Sequence, residues 1–335
     1  ALVYSFLKEI QSDCIYYIPD RYDEGYGISI KGIDHAKAEN VSLIIALDCG
    51  IKAVDKVSYA QTLGIDFIIC DHHLPGKTLP EAYAILNPKQ ANCSYPFKDL
   101  CGCGIGFKLI NALTLERGGA VDQIIPYMDL VAMAIAADMV PMVGENRVLT
   151  YFGIQQIREN PRLGIRFFIK ELKRKINVSD LVFVIAPRIN GAGRIKHGSH
   201  AVALLLSEDP DETLSRARAI EFYNSERKEL DQKITIQALD QIEQNQEEEL
   251  NSTVVYQPDW HKGVLGIVAS RLIETYYRPT IVFTASGEYY TGSVRSVKGF
   301  DIYQILETCR EHIVQFGGHR YAAGLTIRPE EYLSF

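Results

Sequence analysis

Three stretches of the sequence share one pattern, in which a β-branched apolar run ends at an acidic or turn residue before a helical pattern begins. They are VSLIIALDCG (41–50), IDFIICDHHLPG (65–76) and LVFVIAPRINGAGR (181–194). Each run is too continuously apolar for a sheet with one solvated face. We therefore predict an α/β fold in which all three runs are buried parallel strands.

The segment between the first two runs completes a strand–helix–strand unit. Residues 51–64 carry apolar side chains at helical spacing and end at a glycine, where a helix would stop. In such sheets ligands bind beyond the carboxyl ends of the strands. Asp48 and the run Asp71-His72-His73 are therefore expected at one edge of the sheet.

A charged helical stretch and a second α/β pattern follow. Residues 209–250 contain no glycine and carry apolar residues at heptad-like spacing, which predicts a long connecting helix. The sequence after it predicts strand, helix and strand, then a glycine-rich hairpin region, a helix over 301–316 and a turn at 317–319. We thus predict a parallel-sheet domain over 1–208 and a smaller α/β domain over 251–335.

Composition narrows the class of protein. The chain has 335 residues and a net charge of −7, so any nucleic-acid groove must be a local stripe of Lys and Arg. Seven cysteines at irregular spacings are expected to be reduced, and the close pair Cys101 and Cys103 is interpreted as a small-residue turn that opens a helix. No apolar run reaches membrane-spanning length and the first residues resemble no leader, so a cytoplasmic protein is expected.

The run Asp71-His72-His73 points to a metal site. Asp48 or Asp71 alone would most simply be a helix cap, but three consecutive potential ligands cannot all be caps. Carboxylates and imidazoles together suit a divalent ion such as manganese, and the absence of thiolates argues against structural zinc. Asp138, at the end of an apolar helix, is a further candidate, or else a simple turn residue. Two paired metals would need a bridging carboxylate, for which Asp48 is the natural choice.

Two groups of polar residues could contact a phosphate backbone. In the first predicted domain they are Arg188, Asn190 and Arg194, which flank a glycine turn at 191–193. In the second domain they are Ser293, Arg295, Ser296 and Lys298, placed around a hairpin. The basic cluster Lys170, Lys173, Arg174 and Lys175 is most simply a solvated face and is a weaker candidate.

Several motifs resemble one superfamily. ALDCG (46–50), CDHHLP (70–75) and AADMVP (136–141) resemble the second, third and fourth motifs of the DHH phosphoesterases. YYIPDRYDEGYGIS (16–29), PRINGAGR (187–194) and the long connecting helix resemble the RecJ branch, and FGGHRYAAG (316–324) resembles the DHH-associated domain. The resemblance covers nearly the whole chain.

The resemblance implies roles for particular residues. Asp48, Asp71, His72 and Asp138 would hold Mn²⁺ or Mg²⁺, with Asp48 bridging and His73 lining the site or positioning the scissile phosphate. Residues 317–319 (Gly317, Gly318 and His319) would contact the substrate, with His319 facing the metals. The family's first motif, Asp-x-Asp, is expected upstream of the first residue, and two ions are expected where that motif is present.

The implied activity is 5′ to 3′ hydrolysis of single-stranded DNA in repair and recombination. A monomer is expected, with single-strand-binding protein or helicase partners. Two alternatives remain: a DHH phosphodiesterase of short oligonucleotides or cyclic dinucleotides, and a non-catalytic single-strand-binding scaffold. The long helix and PRINGAGR argue against the compact phosphodiesterases, and retention of the candidate ligands argues against the scaffold. RNA is not excluded as substrate, because no feature reads a 2′-hydroxyl.

Overall fold

The computed structural model describes residues 1–170, 172 and 174–335. The chain forms two compact units, Ala1–Tyr223 and Asn224–Phe335. Each unit has its own sheet and its own buried apolar residues.

The sheet of the first unit is parallel and has the order β1-β2-β3. Its strands are β1 (Leu43–Leu47), β2 (Asp66–Cys70) and β3 (Ala84–Leu86). The helix between β1 and β2 spans Val54–Thr62 and buries Val57 and Ala60, as its apolar spacing predicts. The parallel α/β architecture expected from the sequence is confirmed for β1 and β2.

Helices make up most of the remaining first unit. They are α1 (Leu2–Glu9), α2 (Ile30–Ala38), α3 (Val54–Thr62), α4 (Gly102–Glu116), α5 (Met128–Asp138), α6 (Gly144–Glu159), α7 (Leu163–Ile169), α8 (Val178–Asp180), α9 (Ala186–Ile195) and α10 (Ser199–Leu206), with a 3₁₀ segment at Val121–Tyr127. Helix α4 begins after Cys101, whose Sγ accepts a hydrogen bond from the N–H of Gly104. The predicted small-residue turn at this position is confirmed, and all seven cysteines are free thiols.

The prediction of a strand over 181–194 is wrong. Residues Leu181–Ile185 form one turn of π-helix that runs directly into α9. A short, continuously apolar run has no periodicity that separates a buried strand from a buried helix. Pro187 is the second residue of α9, directly after the π-helical turn. The third strand is instead Ala84–Leu86, which the sequence analysis did not identify.

Helix α11 (Pro210–Gln244) is the long helix that the charged stretch predicts. The second unit then contains β4 (Thr253–Tyr256), α12 (Leu265–Thr275), β5 (Thr280–Ser286), β6 (Tyr289–Arg295), α13 (Ile302–Thr308), β7 (Ile313–His319) and β8 (Ala322–Ile327), with 3₁₀ turns at Lys262–Val264, Arg310–His312 and Pro329–Glu331. The sheet order is β4-β5-β6-β8-β7. Only β4 and β5 pair in parallel, and the other strands pair antiparallel.

Two boundaries predicted in the second unit are wrong. The helix expected over 301–316 ends at Thr308, and residues 317–319 lie in β7 and not in a turn. The β-branched pair Ile313 and Val314 favours a strand over a continued helix. The chain reverses direction after His319, between β7 and β8.

Two further expectations concern the surface of the molecule. Among the helices that the structure describes, none has the length and apolar character that a membrane span requires. Within the predicted basic cluster, Lys173 lies outside the described residues. Arg174 makes a two-pronged ion pair with Asp180, with N–O distances of 2.7 and 2.8 Å.

Candidate metal centre

Asp48 is the first residue after β1 and has a left-handed backbone. Its φ is +65°, a region that few residues other than glycine adopt. The parallel ladder continues through this residue, because its N–H donates to the carbonyl of Cys70 at 2.8 Å. The carboxylate is therefore held at the carboxyl edge of the sheet, with 59% of the side chain exposed.

Asp71 follows β2 and is 1% exposed. Its Oδ1 accepts hydrogen bonds from the N–H groups of His72 (2.8 Å) and His73 (3.2 Å) and lies 2.7 Å from His73 Nδ1, while Oδ2 accepts from the N–H of Ile51 at 3.0 Å. Burial alone would raise the pKa of Asp71, but these hydrogen bonds outweigh it and hold the pKa at about 2. Asp71 thus fixes the backbone of the two histidines.

His72 brings the two other carboxylates together. Its Nε2 lies 3.2 Å from Asp48 Oδ1 and 3.4 Å from Asp138 Oδ2. The imidazole is 9% exposed, and within the described part of the chain its buried Nδ1 has no hydrogen-bond partner. We call these three residues the Asp48–His72–Asp138 cluster.

Asp138 is the last residue of α5, and Met139 after it turns left-handed, with φ of +51°. Burial raises the pKa of the Asp138 carboxyl, and the nearby charge of Asp48 adds to this effect. Two carboxylates near one buried imidazole repel each other. A divalent cation would relieve that repulsion.

His73 lies beside the cluster, with 58% of its side chain exposed and its ring centroid 4.6 Å from that of His72. The hydrogen bond to the Asp71 carboxylate raises the pKa of His73. One ligand atom from each of Asp48, His72 and His73 lies within 4.8 Å of the others. The donor set is carboxylate oxygen and imidazole nitrogen, which fits a divalent ion of the Mn²⁺ class.

Two residues that the sequence analysis missed support this centre. Asn87, directly after β3 and 3% exposed, donates from Nδ2 to the carbonyl of His73 at 2.9 Å. Asn146 is fully buried and donates to the carbonyls of Asp99 (2.6 Å) and Pro141 (3.0 Å), which flank the segments that begin α4 and end α5. The only sequence signal at Asn87 is a polar residue between a short apolar run and a proline.

A cavity of about 430 Å³ opens beside the cluster. Asp48 and Asp138 line it together with Gly102 of α4 and Asn190 of α9. Asn190 is thus the predicted substrate-binding residue of the first unit that reaches the same cavity as the carboxylates.

The two predicted arginines of the first unit lie on α9 and not on a turn after a strand. Arg188 is paired with Glu221, with N–O distances of 2.6 and 3.2 Å, and donates to the carbonyl of Val184. The carbonyl of Arg194 accepts a hydrogen bond from the Tyr22 hydroxyl. The glycine turn expected at 191–193 is wrong, since these residues are part of α9, and Gly191 and Ala192 are buried.

The predicted residues of the second unit lie on strands β6 and β7 and in the loop after β6. Arg295 of β6 donates to Ser293 Oγ at 3.2 Å, and its guanidinium passes close to Gly266 in the first turn of α12. Ser296 donates to the carbonyl of Phe300 at 2.9 Å, in the loop after β6 and not in the hairpin turn. The exposed segment 317–319 belongs to β7, at the edge of the sheet.

Comparison with protein families places two domains on this chain. The model of the DHH family, N-terminal domain, matches residues 1–135, and that of the DHHA1 domain matches residues 249–334. The cluster thus draws Asp48 and His72 from the stretch matched by the DHH model and Asp138 from just beyond it.

Similar sequences include the single-stranded-DNA-specific exonuclease RecJ of Bacillus subtilis, 41% identical over 97% of this chain and 41% of the relative. RecJ of Escherichia coli is 37% identical over 97% of this chain and 60% of its own length. The chain spans about half the length of the curated relatives that it matches.

Similar solved structures carry metals. Exonuclease RecJ bound to manganese matches with a TM-score of 0.85 and 28% identity, over 99% of this chain and 83% of that one. RecJ of Thermus thermophilus in complex with Mn²⁺ matches with a TM-score of 0.87 and 27% identity, over 99% of this chain and 48% of that one. The α/β architecture of the chain is therefore that of RecJ.

Proposed function

The chain belongs to the DHH family and carries a DHH N-terminal domain followed by a DHHA1 domain, and from this we propose that it is the catalytic part of a single-stranded-DNA-specific exonuclease. It would hydrolyse phosphodiester bonds from a 5′ end, in DNA repair and recombination. The observation that carries the proposal is the convergence of Asp48 and Asp138 on His72 at the carboxyl edge of a parallel sheet, with N–O distances of 3.2 and 3.4 Å. The relatives named as exonucleases, and their manganese-bound structures, support it.

We propose Asp48, Asp71, His72 and Asp138 as the residues that hold Mn²⁺ or Mg²⁺, with two ions where an Asp-x-Asp motif is present. Asp48 would bridge the ions because its carboxylate is the most exposed of the four and lies 3.2 Å from His72. When bound, such ions polarise the phosphodiester and activate water. Asp71 already accepts four hydrogen bonds from the protein, so its larger task is to orient the two histidines.

His73 would contact the substrate from beside the ligands. Its Nδ1 is held by Asp71, which fixes the ring and directs Nε2 away from that carboxylate. More than half of the side chain is exposed, so the ring is accessible to a phosphate. A positively charged imidazole, favoured by its raised pKa, would attract the charge that the phosphate carries.

We propose that residues of both units hold the DNA backbone. They are Arg188, Asn190 and Arg194 of the first unit and Ser293, Arg295, Ser296, Gly317, Gly318 and His319 of the second. Asn190 has direct support, since it lines the cavity beside Asp48 and Asp138. Arg188 would have to exchange its ion pair with Glu221 for a phosphate, or else fix α9 against α11. The exposed glycines of β7 would let a strand approach the sheet edge closely.

The proposed domain division is 1–208, 209–250 and 251–335. It is supported by the helix at Pro210–Gln244 and by the DHHA1 match from residue 249. Helicases and single-strand-binding proteins are proposed partners, because a strand end must be unwound and kept single before it can enter such a site. We also propose that the protein acts as a monomer in the cytoplasm.

The test is Mn²⁺-dependent degradation of 5′-labelled single-stranded DNA by the full-length protein. Asp48→Asn should lower the rate at least ~100-fold, because it removes the charge of the bridging carboxylate. The control is Asp55→Asn, the same change at an exposed position of α3, which should keep the full rate. Mononucleotide release from long strands, with slow cleavage of dinucleotides, would support the exonuclease. Cleavage of dinucleotides alone would contradict it.

A further inference from the structure

Gly102, the first residue of α4, lies against the Asp48 side chain. A Cβ atom built on Gly102 would be 2.6 Å from both Cβ and Cγ of Asp48 and closer still to Oδ1. Real Cβ atoms do not approach other atoms so closely, so any larger residue at position 102 collides with the carboxylate. The sequence analysis interpreted the segment around this glycine only as a small-residue turn that opens a helix.

We propose that Gly102 is a positioning residue for the metal centre. Its missing side chain lets the Asp48 carboxylate lie on the first turn of α4, which places Oδ1 3.2 Å from His72 Nε2. The N-terminal end of a 15-residue helix also favours a negative charge at this point. This inference rests on the proposed function, because it concerns the carboxylate that is proposed to bridge the ions.

Asp48 cannot move away from a larger residue at position 102 without losing backbone contacts. Its backbone is already in the left-handed region at φ +65°, and its N–H is bonded to the carbonyl of Cys70. The residue before it, Leu47, is paired with Cys70 in the parallel ladder. A shift of Asp48 would therefore break the end of the β1–β2 pairing.

Helix α4 cannot move away either. Its buried face carries Ile105, Phe107 and Ile110, which are 3%, 4% and 0% exposed. One turn after Gly102, a Cβ built on Gly106 would lie 3.1 Å from Cγ2 of Val3 in α1. Rotation of the Asp48 side chain cannot relieve the contact, because the added methyl group would lie 2.6 Å from the Cβ as well as from the Cγ. With strand and helix both held, the methyl group must distort the backbone at Asp48 or at Gly102 and move the carboxylate with it.

Glycine-to-alanine changes in α4 provide a matched comparison. Gly104→Ala adds the same methyl group to the same helix, where the nearest atom, Leu100 Cδ2, is 3.4 Å away. Alanine also favours helix over glycine at both positions. Any additional effect of Gly102→Ala therefore reports its contact with Asp48.

The first measurement is a thermal unfolding cycle on the full-length protein in EDTA. Gly102→Ala should lower the Tm by about 4 °C or more relative to Gly104→Ala, since overpacking against fixed neighbours is destabilising. Asp48→Gly removes the colliding side chain and suits the positive φ. In the Asp48→Gly background, Gly102→Ala should lower the Tm no more than Gly104→Ala does. Equal Tm losses in both backgrounds, or a Gly102→Ala protein that fails to fold in both, would overturn the inference.

The second measurement is Mn²⁺ affinity, followed by electron paramagnetic resonance. Gly102→Ala should bind Mn²⁺ at least ~10-fold more weakly, while Gly104→Ala should stay within about twofold of the unsubstituted protein. Equal affinities in the two variants would overturn the positioning role. Absence of Mn²⁺ binding in the unsubstituted protein would instead contradict the proposed metal centre, and the unfolding cycle would still decide whether Gly102 and Asp48 collide.

Discussion

The two aspartates at the carboxyl edge of the first sheet, Asp48 and Asp71, have different roles. Asp71 is buried and accepts hydrogen bonds from three backbone N–H groups, whereas Asp48 is exposed and accepts none from the backbone in the described residues. The sequence predicts that both lie at the carboxyl ends of strands, but it does not predict which way each side chain turns. That direction is set by φ of +65° at Asp48 and by the backbone N–H groups that hold the Asp71 carboxylate.

This difference predicts that the same substitution has unequal effects on the stability of the metal-free protein at the two positions. In EDTA, Asp71→Asn should lower the free energy of unfolding by about 2 kcal/mol, because an amide NH₂ group would face the buried N–H of Ile51. Asp48→Asn should change it by less than about 0.5 kcal/mol. Urea unfolding of both variants measures the difference, and equal losses would contradict the assigned division.

The elements around the centre position it through backbone contacts. Strand β3 contributes no ligand, yet the residue after it, Asn87, holds the carbonyl of His73, and the carbonyl of Leu86 accepts from the N–H of Asp71. This strand is only three residues long, which is too short for its pattern to be recognised in the sequence. The supporting asparagine was missed for the same reason.

Asn87→Ala should therefore weaken Mn²⁺ binding by about tenfold, since partners that orient metal ligands contribute on that scale. Asn92→Ala, at an exposed position further along the same loop, is the control and should bind normally. Isothermal titration of both variants provides the comparison. An Asn87→Ala protein that is folded and has normal affinity would show that β3 does not support the centre.

Helix α5 is anchored by a buried ion pair. Asp129 in its first turn is fully buried and lies 2.7 Å from Nε of Arg162, the residue before α7. Burial raises the pKa of Asp129 above its usual value, although Arg162 acts in the opposite direction. The folded state thus binds this proton more tightly than the unfolded state, and the contribution of Asp129 to stability increases as the pH falls through its raised pKa.

Removal of Arg162 should make the stability of the protein depend more strongly on pH. Arg162→Met should cost about 3–5 kcal/mol at pH 7, because a buried carboxylate loses its partner, and less at pH 5, where Asp129 can take up a proton. The measurement is the difference in unfolding free energy from the unsubstituted protein at the two pH values. Arg117→Met, at an exposed site after α4, should show no difference at either pH. A loss from Arg162→Met that is independent of pH would contradict the explanation.

Across the whole molecule, the sequence predicts the order of most helices and strands, but it does not always distinguish a helix from a strand. The strand–helix–strand unit at 43–70 follows from two apolar runs on either side of a helical pattern, and the long helix at Pro210–Gln244 follows from helical spacing. The apolar run at 181–185 does not, because a buried helix and a buried strand have the same composition. The polar groups of α9 were consequently placed on a turn, although Asn190 still reaches the cavity beside Asp48 and Asp138.

If the second unit contacts DNA, removal of a positive charge from it should change the salt dependence of DNA affinity. Arg295→Gln should weaken binding of single-stranded DNA and reduce the slope of log affinity against log salt by about 0.7, the value for one phosphate contact. Arg328→Gln, exposed after β8, is the control and should leave the slope unchanged. Fluorescence anisotropy across a salt series measures both. An unchanged slope for Arg295→Gln would remove Arg295 from the proposed interface.

The Asp48–His72–Asp138 cluster is proposed to hold a divalent cation. Anomalous diffraction from crystals of the full-length protein grown with Mn²⁺ tests it most directly. We expect a manganese peak in contact with carboxylate oxygens of Asp48 and Asp138 and with Nε2 of His72, and loss of that peak in the His72→Ala variant. A manganese peak elsewhere on the protein, with none at the cluster, would contradict it.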